Sequence, residues 1–149
     1  MDHLIRECRE DDLPKLIELC SKHAEYERTS FNPEGKLTAL KNALLGSNPK
    51  LYCLIVENNK TPVGYASYTF DFSTWEGATF LHMDCLFIES EYRGFGIGEA
   101  LINRLKEIAI KTGCVNVQWQ TPDFNVRAIK FYRRIGGLEK NKVRFFLSL

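Results

Sequence analysis

The string Tyr92-Arg93-Gly94-Phe95-Gly96-Ile97-Gly98 puts three glycines at alternate positions between an apolar run and an amphipathic helical pattern. With no Cβ at 94, 96 and 98, the backbone can approach a ligand closely. The helix that follows adds unpaired N–H groups and the positive end of its dipole. Such a turn is chemically suited to a pyrophosphate, although many strand-to-helix turns are glycine-rich for conformational reasons alone. No Gly-Lys-Ser/Thr follows and the spacing is not GxGxxG, which disfavours a nucleotide triphosphatase and a dinucleotide oxidoreductase.

These residues need elements to hold them. The chain has 149 residues and 17.2 kDa, the size of one domain, so residues 1–149 are expected to act as a single unit. It is 44% hydrophobic and 26% charged, enough apolar material for a core. A net charge of +1 gives no case for a nucleic-acid or membrane-surface partner. The sum is uneven, since residues 1–75 carry 9 basic and 11 acidic side chains and residues 76–149 carry 11 and 8. Five widely spaced cysteines with no CxxC pair point to a reducing, cytoplasmic setting. No apolar run reaches the roughly 18 residues of a membrane span, and the amino terminus lacks a signal-peptide apolar region.

The hydrophobic pattern predicts a strand over His3–Cys8, a helix carrying Leu13, Leu16, Ile17 and Cys20, and a second helix carrying Leu37, Leu40, Leu44 and Leu45. Strands follow at 51–56 and Val63–Phe70 as a hairpin, then at Thr79–Ile88. After the glycine segment comes a helix with Leu101, Leu105, Ile108 and Ala109 on one face. The remainder predicts a strand at Val115–Gln120, a helix at about Asn125–Ile135 and a last strand at Val143–Leu149. The order βααβββαβαβ implies an α+β, mixed α/β domain.

With the preceding arginine, Arg93-Gly94-Phe95-Gly96-Ile97-Gly98 fits the Arg/Gln-x-x-Gly-x-Gly/Ala signature of the GNAT N-acetyltransferases. Within that superfamily the chain resembles the spermidine/spermine (diamine) N-acetyltransferases over nearly its whole length. The anchors are Glu25-Tyr26-Glu27, the stretch from Phe70 to Gly77 around Trp75, Asp84 eight positions before Tyr92, the glycine string, and Asn125 with Phe131-Tyr132-Arg133-Arg134. The resemblance implies the GNAT fold, a mostly antiparallel twisted sheet of six to seven strands flanked by about four helices. It also implies acetyl-CoA as donor, with no metal. Backbone groups of Leu86, Phe87 and Ile88 would pair with the pantetheine arm, and those of Gly94, Phe95, Gly96, Ile97, Gly98 and Glu99 would hold the pyrophosphate behind Arg93. Residues 124–149 carry seven basic side chains against one acidic. Arg127, Arg133 and Arg134 are the better phosphate candidates, while Lys140, Lys142 and Arg144 suit a solvated face.

Acetyl transfer requires a neutral amine, yet an alkyl ammonium has a pKa of about 10.4, so deprotonation near neutral pH costs about 4 kcal/mol. A cleft carboxylate can hold the ammonium and pass its proton on through water. Asp84 is the candidate, at a position where the resembled family has glutamate. His82, two residues before it, is the fallback base, with a structural carboxylate and a merely buried histidine as the plain alternatives. In the resembled family a tyrosine matching Tyr132 protonates the departing thiolate, and Asn125 either caps the last helix or bonds the pantetheine chain. The acceptor side falls to Tyr26, Glu27, Gln118, Trp119 and Gln120, with Trp75 as a wall; acidic and aromatic groups together suit an aliphatic cation. Where the family has an acidic pair before its final strand, this chain reads Leu138-Glu139-Lys140-Asn141-Lys142, shorter and more basic. Cys85 next to Asp84 allows an acyl-cysteine route, but neighbours in a strand face opposite ways, which favours direct transfer. The expected function is acetylation of a primary amine on a small cation, with a homodimer implied by the resemblance. The alternatives are a peptide amine acceptor and a catalytically silent acyl-CoA-binding sensor.

Overall fold

A computed structural model describes residues 2–149. Strand β1 (Leu4–Glu7) leads through a 3₁₀ turn into helix α1 (Leu13–Tyr26), whose entry is set by Pro14 in the first turn. The Asp12 carboxylate accepts the Arg9 N–H at 2.7 Å just ahead of that helix. Leu13, Leu16, Leu19 and His23 recur at three- and four-residue steps and form the buried face of α1. Helix α2 (Lys36–Leu45) stays largely at the surface. Strands β2 (Tyr52–Asn58) and β3 (Thr61–Ser73) are joined by Asn59 and Lys60, both with positive φ, which matches the twist of a two-residue hairpin turn. Strand β4 (Ala78–Ile88) runs to the glycine turn and helix α3 (Ile97–Lys111); strand β5 (Val117–Gln118) and helix α4 (Val126–Arg134) follow.

The sheet order is β1-β2-β3-β4-β5, antiparallel except for the parallel β4–β5 pair. One face carries Leu54, Val56, Leu81 and Met83, packed against Ile97, Leu101 and Leu105 of α3 and against α4. The other carries Cys53, Ile55, Tyr65 and Phe87 beneath α1. This is the expected mixed α/β architecture with four helices, but with five strands among the described residues rather than six to seven. The strand expected at Val143–Leu149 does not form; Phe145 is 88% exposed and Leu147 92%. A strand needs an edge to pair with, and β5 has contracted from the expected 115–120 to two residues, too short to seat seven.

Arg6 ties the start of the chain to this sheet. Its guanidinium bonds both Asp12 oxygens at 2.7 and 2.9 Å and Glu57 at 2.7 Å, with all three side chains largely shielded from water. Removing one partner leaves two carboxylates uncompensated, so Arg6→Ala is expected to cost about 2–3 kcal/mol of stability in denaturant titration. The Arg6 hydrogen bond holds the Asp12 carboxyl below its ordinary range. A depressed carboxylate contributes stability that is complete above its unfolded pKa of about 3.9 and lost as pH falls through the folded value. The Arg6→Ala deficit is therefore expected to shrink below about pH 3.9.

Candidate active site

The site is made by strands that part. β4 and β5 pair only at Leu81–Val117 and His82–Gln118, after which they diverge. Met83 to Ile88 on one arm and Gln120 and Thr121 on the other then line a cleft of about 520 Å³. Its remaining walls are His23 and Tyr26 from α1 and Glu27 at its C-terminal cap, the turn around Gly94–Glu99, and Asn125, Arg127, Ala128, Phe131, Tyr132 and Arg134 from the α4 region. Beyond His82 the edge of β4 that faced β5 has no strand beside it among the described residues, so Leu86–Ile88 present backbone groups to the cleft.

The glycine turn closes one end. Gly94 and Gly96 have φ of +84° and +79°, where a side chain is strained, and a Cβ on either would meet nothing within 4 Å. They thus serve backbone shape and leave open space. Gly98 acts differently, because a Cβ there would lie 3.2 Å from Phe131 Cζ; its absence lets α3 approach α4. The first N–H groups of α3 lack intrahelical partners and face this opening with the positive end of the dipole. Arg127 and Arg134 stand on the same side, Arg134 lying 3.5 Å from Glu99. The arginine ahead of the glycines turns back instead: Arg93 Nε donates to the Ile88 carbonyl at 2.7 Å, and its guanidinium lies over the Tyr26 and Phe87 rings. It braces the turn against β4 and α1.

Strand β4 brings a carboxylate to the cleft. In the β3–β4 ladder Ser67 pairs with Cys85 and Tyr68 with Met83, so Asp84 is the extra residue of a β-bulge. The bulge breaks the regular pairing of the ladder at Asp84. His82 pairs with Thr69 and Gln118 in the ladder and lies outside the cleft lining, whereas Asp84 is exposed in it. Cys85 Sγ lies 3.7 Å from an Asp84 oxygen. Burial, then the Asp84 charge, pushes the Cys85 thiol up to about 12, so it is no thiolate at neutral pH.

Tyr132 lies in the lining with its ring against Trp119 and Phe131, centroids 5.1 and 5.2 Å away. Burial, reinforced by Glu27, raises its pKa and keeps the phenol protonated, able to donate. Asn125 caps α4 by accepting the Ala128 N–H at 3.4 Å, accepts from the Tyr26 hydroxyl at 3.2 Å and donates to Thr121 at 3.3 Å. It joins three walls of the cleft.

Of the residues singled out in the sequence, Tyr26, Glu27, Asp84, Leu86, Phe87, Ile88, Arg93, Gly94, Gly96, Ile97, Gly98, Glu99, Gln120, Asn125, Arg127 and Tyr132 are brought together here. Besides His82, five others stand outside the lining. Trp75 sits in the β3–β4 turn, 97% exposed, and Phe95 is 55% exposed. Arg133 is engaged by Glu139 through two hydrogen bonds at 2.6 and 3.1 Å. Gln118 donates to Asn116, and Trp119 supports the Tyr132 ring. His23 was missed. Its only trace in the sequence is the four-residue step to Glu27, which puts both on one helix face.

The Acetyltransferase (GNAT) family matches residues 16–137, most of the chain. The chain belongs to the GNAT family. It is an N-acetyltransferase by that membership, as the glycine string led one to expect. The chain is 33% identical over 141 residues to a thialysine N-epsilon-acetyltransferase of Bos taurus, covering 89% of this chain and 82% of the relative. It is 31% identical to spermidine/spermine N(1)-acetyltransferase-like protein 1 of Homo sapiens over 93% of this chain but 21% of that longer protein. The fold matches the aminoglycoside N-acetyltransferase AAC(6')-Iy, solved in complex with CoA, with a TM-score of 0.82 over 99% of this chain and 95% of the other at 17% identity.

Proposed function

We propose that this GNAT enzyme moves an acetyl group from acetyl-CoA directly to a primary amine of a small aliphatic cation, an amino-acid-like amine or a polyamine. The reading is supported above all by the convergence on one cleft of an anion-holding turn and carboxylates. The glycine turn, the α3 amino end and Arg127 fit a pyrophosphate, and the open β4 edge at Leu86–Ile88 fits the amide-bearing arm behind it. Acetyl-CoA supplies the acetyl group as a thioester. Glu27 and Asp84 hold the acceptor as its ammonium, with the Tyr26 ring beside them. Asp84 then takes the proton through a water, and the buried phenol of Tyr132 donates toward the sulfur that leaves. The thioether-containing lysine analogue and the polyamine in the relatives' names are amines of this class. A raised Cys85 thiol favours transfer without an acyl-cysteine.

A panel of spermidine, ornithine, lysine, thialysine and a peptide amine, each with acetyl-CoA, tests this through release of free CoA thiol. At least one small diamine-like acceptor is expected to respond and the peptide not to. No release with any amine, with acetyl-CoA binding intact, would sink the reading in favour of a silent acyl-CoA sensor. The five unpaired cysteines suit a reducing, cytoplasmic compartment, and the exposed Phe145, Phe146 and Leu147 supply apolar surface for a homodimer, which sedimentation velocity reads directly.

A further inference from the structure

One titratable group in the cleft has no part in the chemistry so far. His23 is 8% exposed, on the third turn of α1, and it joins the buried face of the helix to the acceptor wall. Its Nδ1 lies 2.9 Å from the Tyr65 hydroxyl, a group buried in β3. Its Nε2 lies 3.5 Å from a Glu27 carboxylate oxygen one helical turn on. The ring stacks on Phe87 with centroids 5.2 Å apart. A carboxylate only accepts, so Nε2 carries the hydrogen that faces Glu27, and Nδ1 accepts the Tyr65 O–H. One neutral tautomer satisfies both neighbours, and the ring is clamped on its face and on both nitrogens.

We propose that His23 is the positioning residue of the acceptor side: anchored by Tyr65 and Phe87, it turns the Glu27 carboxylate toward the cleft so that Glu27 and Asp84 face the ammonium together. The inference rests on the proposed acceptor reading and deepens it. Glu27 at the cap of α1, Tyr65 on β3, Asp84 on β4 and Arg93 at the glycine turn are the titratable and charged groups around the ring. Burial lowers the His23 pKa against the pull of Glu27 and Asp84, so the ring is neutral at neutral pH and leaves Glu27 its charge for the substrate. Once the ring is protonated, an imidazolium pairs with Glu27 and competes with the ammonium. The KM for the amine is therefore expected to climb as pH falls through a value below the ordinary imidazole pKa of about 6.5.

The test compares wild type, His23→Leu and His23→Gln. Leu removes both contacts, and the amine KM is expected to rise on the order of tenfold with the acetyl-CoA KM unchanged. Gln can donate to Glu27 and accept from Tyr65, so it is expected to restore the amine KM while abolishing its low-pH rise. Equal rises in both KM values for Leu, no rescue by Gln, or a low-pH rise that persists in Gln would overturn the proposal. A second measurement needs no turnover. Nitrogen-15 NMR of the imidazoles, assigned with His23→Gln, is expected to give His23 as the Nε2–H tautomer and to show its pKa falling in Glu27→Gln. A Nδ1–H tautomer, or a pKa indifferent to Glu27, would count against the dyad whatever the activity. The expected NMR result in a protein that acetylates no amine would leave the dyad standing and defeat the acceptor reading instead.

Discussion

Tyr132→Phe is expected to lower kcat about 10²- to 10³-fold while the Kd for acetyl-CoA stays within about twofold. The substitution deletes one oxygen and keeps the ring. The contacts with Trp119 and Phe131, which set the position of α4 at the cleft, survive. What disappears is the only proton that a buried phenol can offer. A thiol judged by cysteine has a pKa of about 8.5, so the leaving sulfur is a poor proton acceptor for a phenol of ordinary pKa about 10. Burial raises Tyr132 further and makes full transfer harder. A hydrogen bond donated to the developing charge is then the larger contribution, and it is worth most in a site closed to water. Single-turnover acetylation with acetyl-CoA saturating, beside calorimetric titration of CoA, separates the two quantities. Equal losses in both would mean that the hydroxyl serves packing.

The parts legible in the sequence were those whose signal is local. Three alternating glycines after an apolar run announce a strand, a turn and a helix start, and the turn stands there. The helical stripes of α1 and α3 are likewise written in three- and four-residue steps. The third glycine carries a further constraint that no local pattern shows: a Cβ there would press on Phe131, a residue 33 positions away. Asp84 was found and its neighbourhood was not. A bulge is one extra residue in a ladder and leaves no mark in an apolar run, so the break in pairing at Asp84 could not be read from the sequence. Val143–Leu149 reads as a strand because its residues are good strand formers, but pairing depends on a partner edge, which propensity does not encode. His23 was hidden for the opposite reason, since a histidine on the buried face of a helix looks like core until Tyr65 and Glu27 are seen at its two nitrogens.

Asp84→Ala is expected to reduce kcat/KM for the amine about 10²- to 10³-fold at pH 7.5, with acetyl-CoA binding preserved. The form of the loss is more telling than its size. With no carboxylate to take the proton, the reactive species is the free amine already present in solution. Below a pKa of about 10.4 its share rises about tenfold per pH unit. The variant is therefore expected to recover along a slope near one toward pH 10, while the wild-type profile flattens earlier because the cleft performs the deprotonation. Asp84→Glu restores a carboxylate on a stem longer by one methylene, and is expected to keep most of the activity wherever a bridging water has room to leave. A structural carboxylate predicts otherwise. If Asp84 only holds the bulge, the Ala variant loses acetyl-CoA affinity in step with activity, because Leu86–Ile88 shift with the strand, and the pH profile keeps its wild-type shape at a lower level. The bulge gives reason to expect the first outcome. A strand that only needed to close its ladder would place a paired residue here, whereas this one breaks pairing at the position where its carboxylate opens into the cleft that Glu27 also lines.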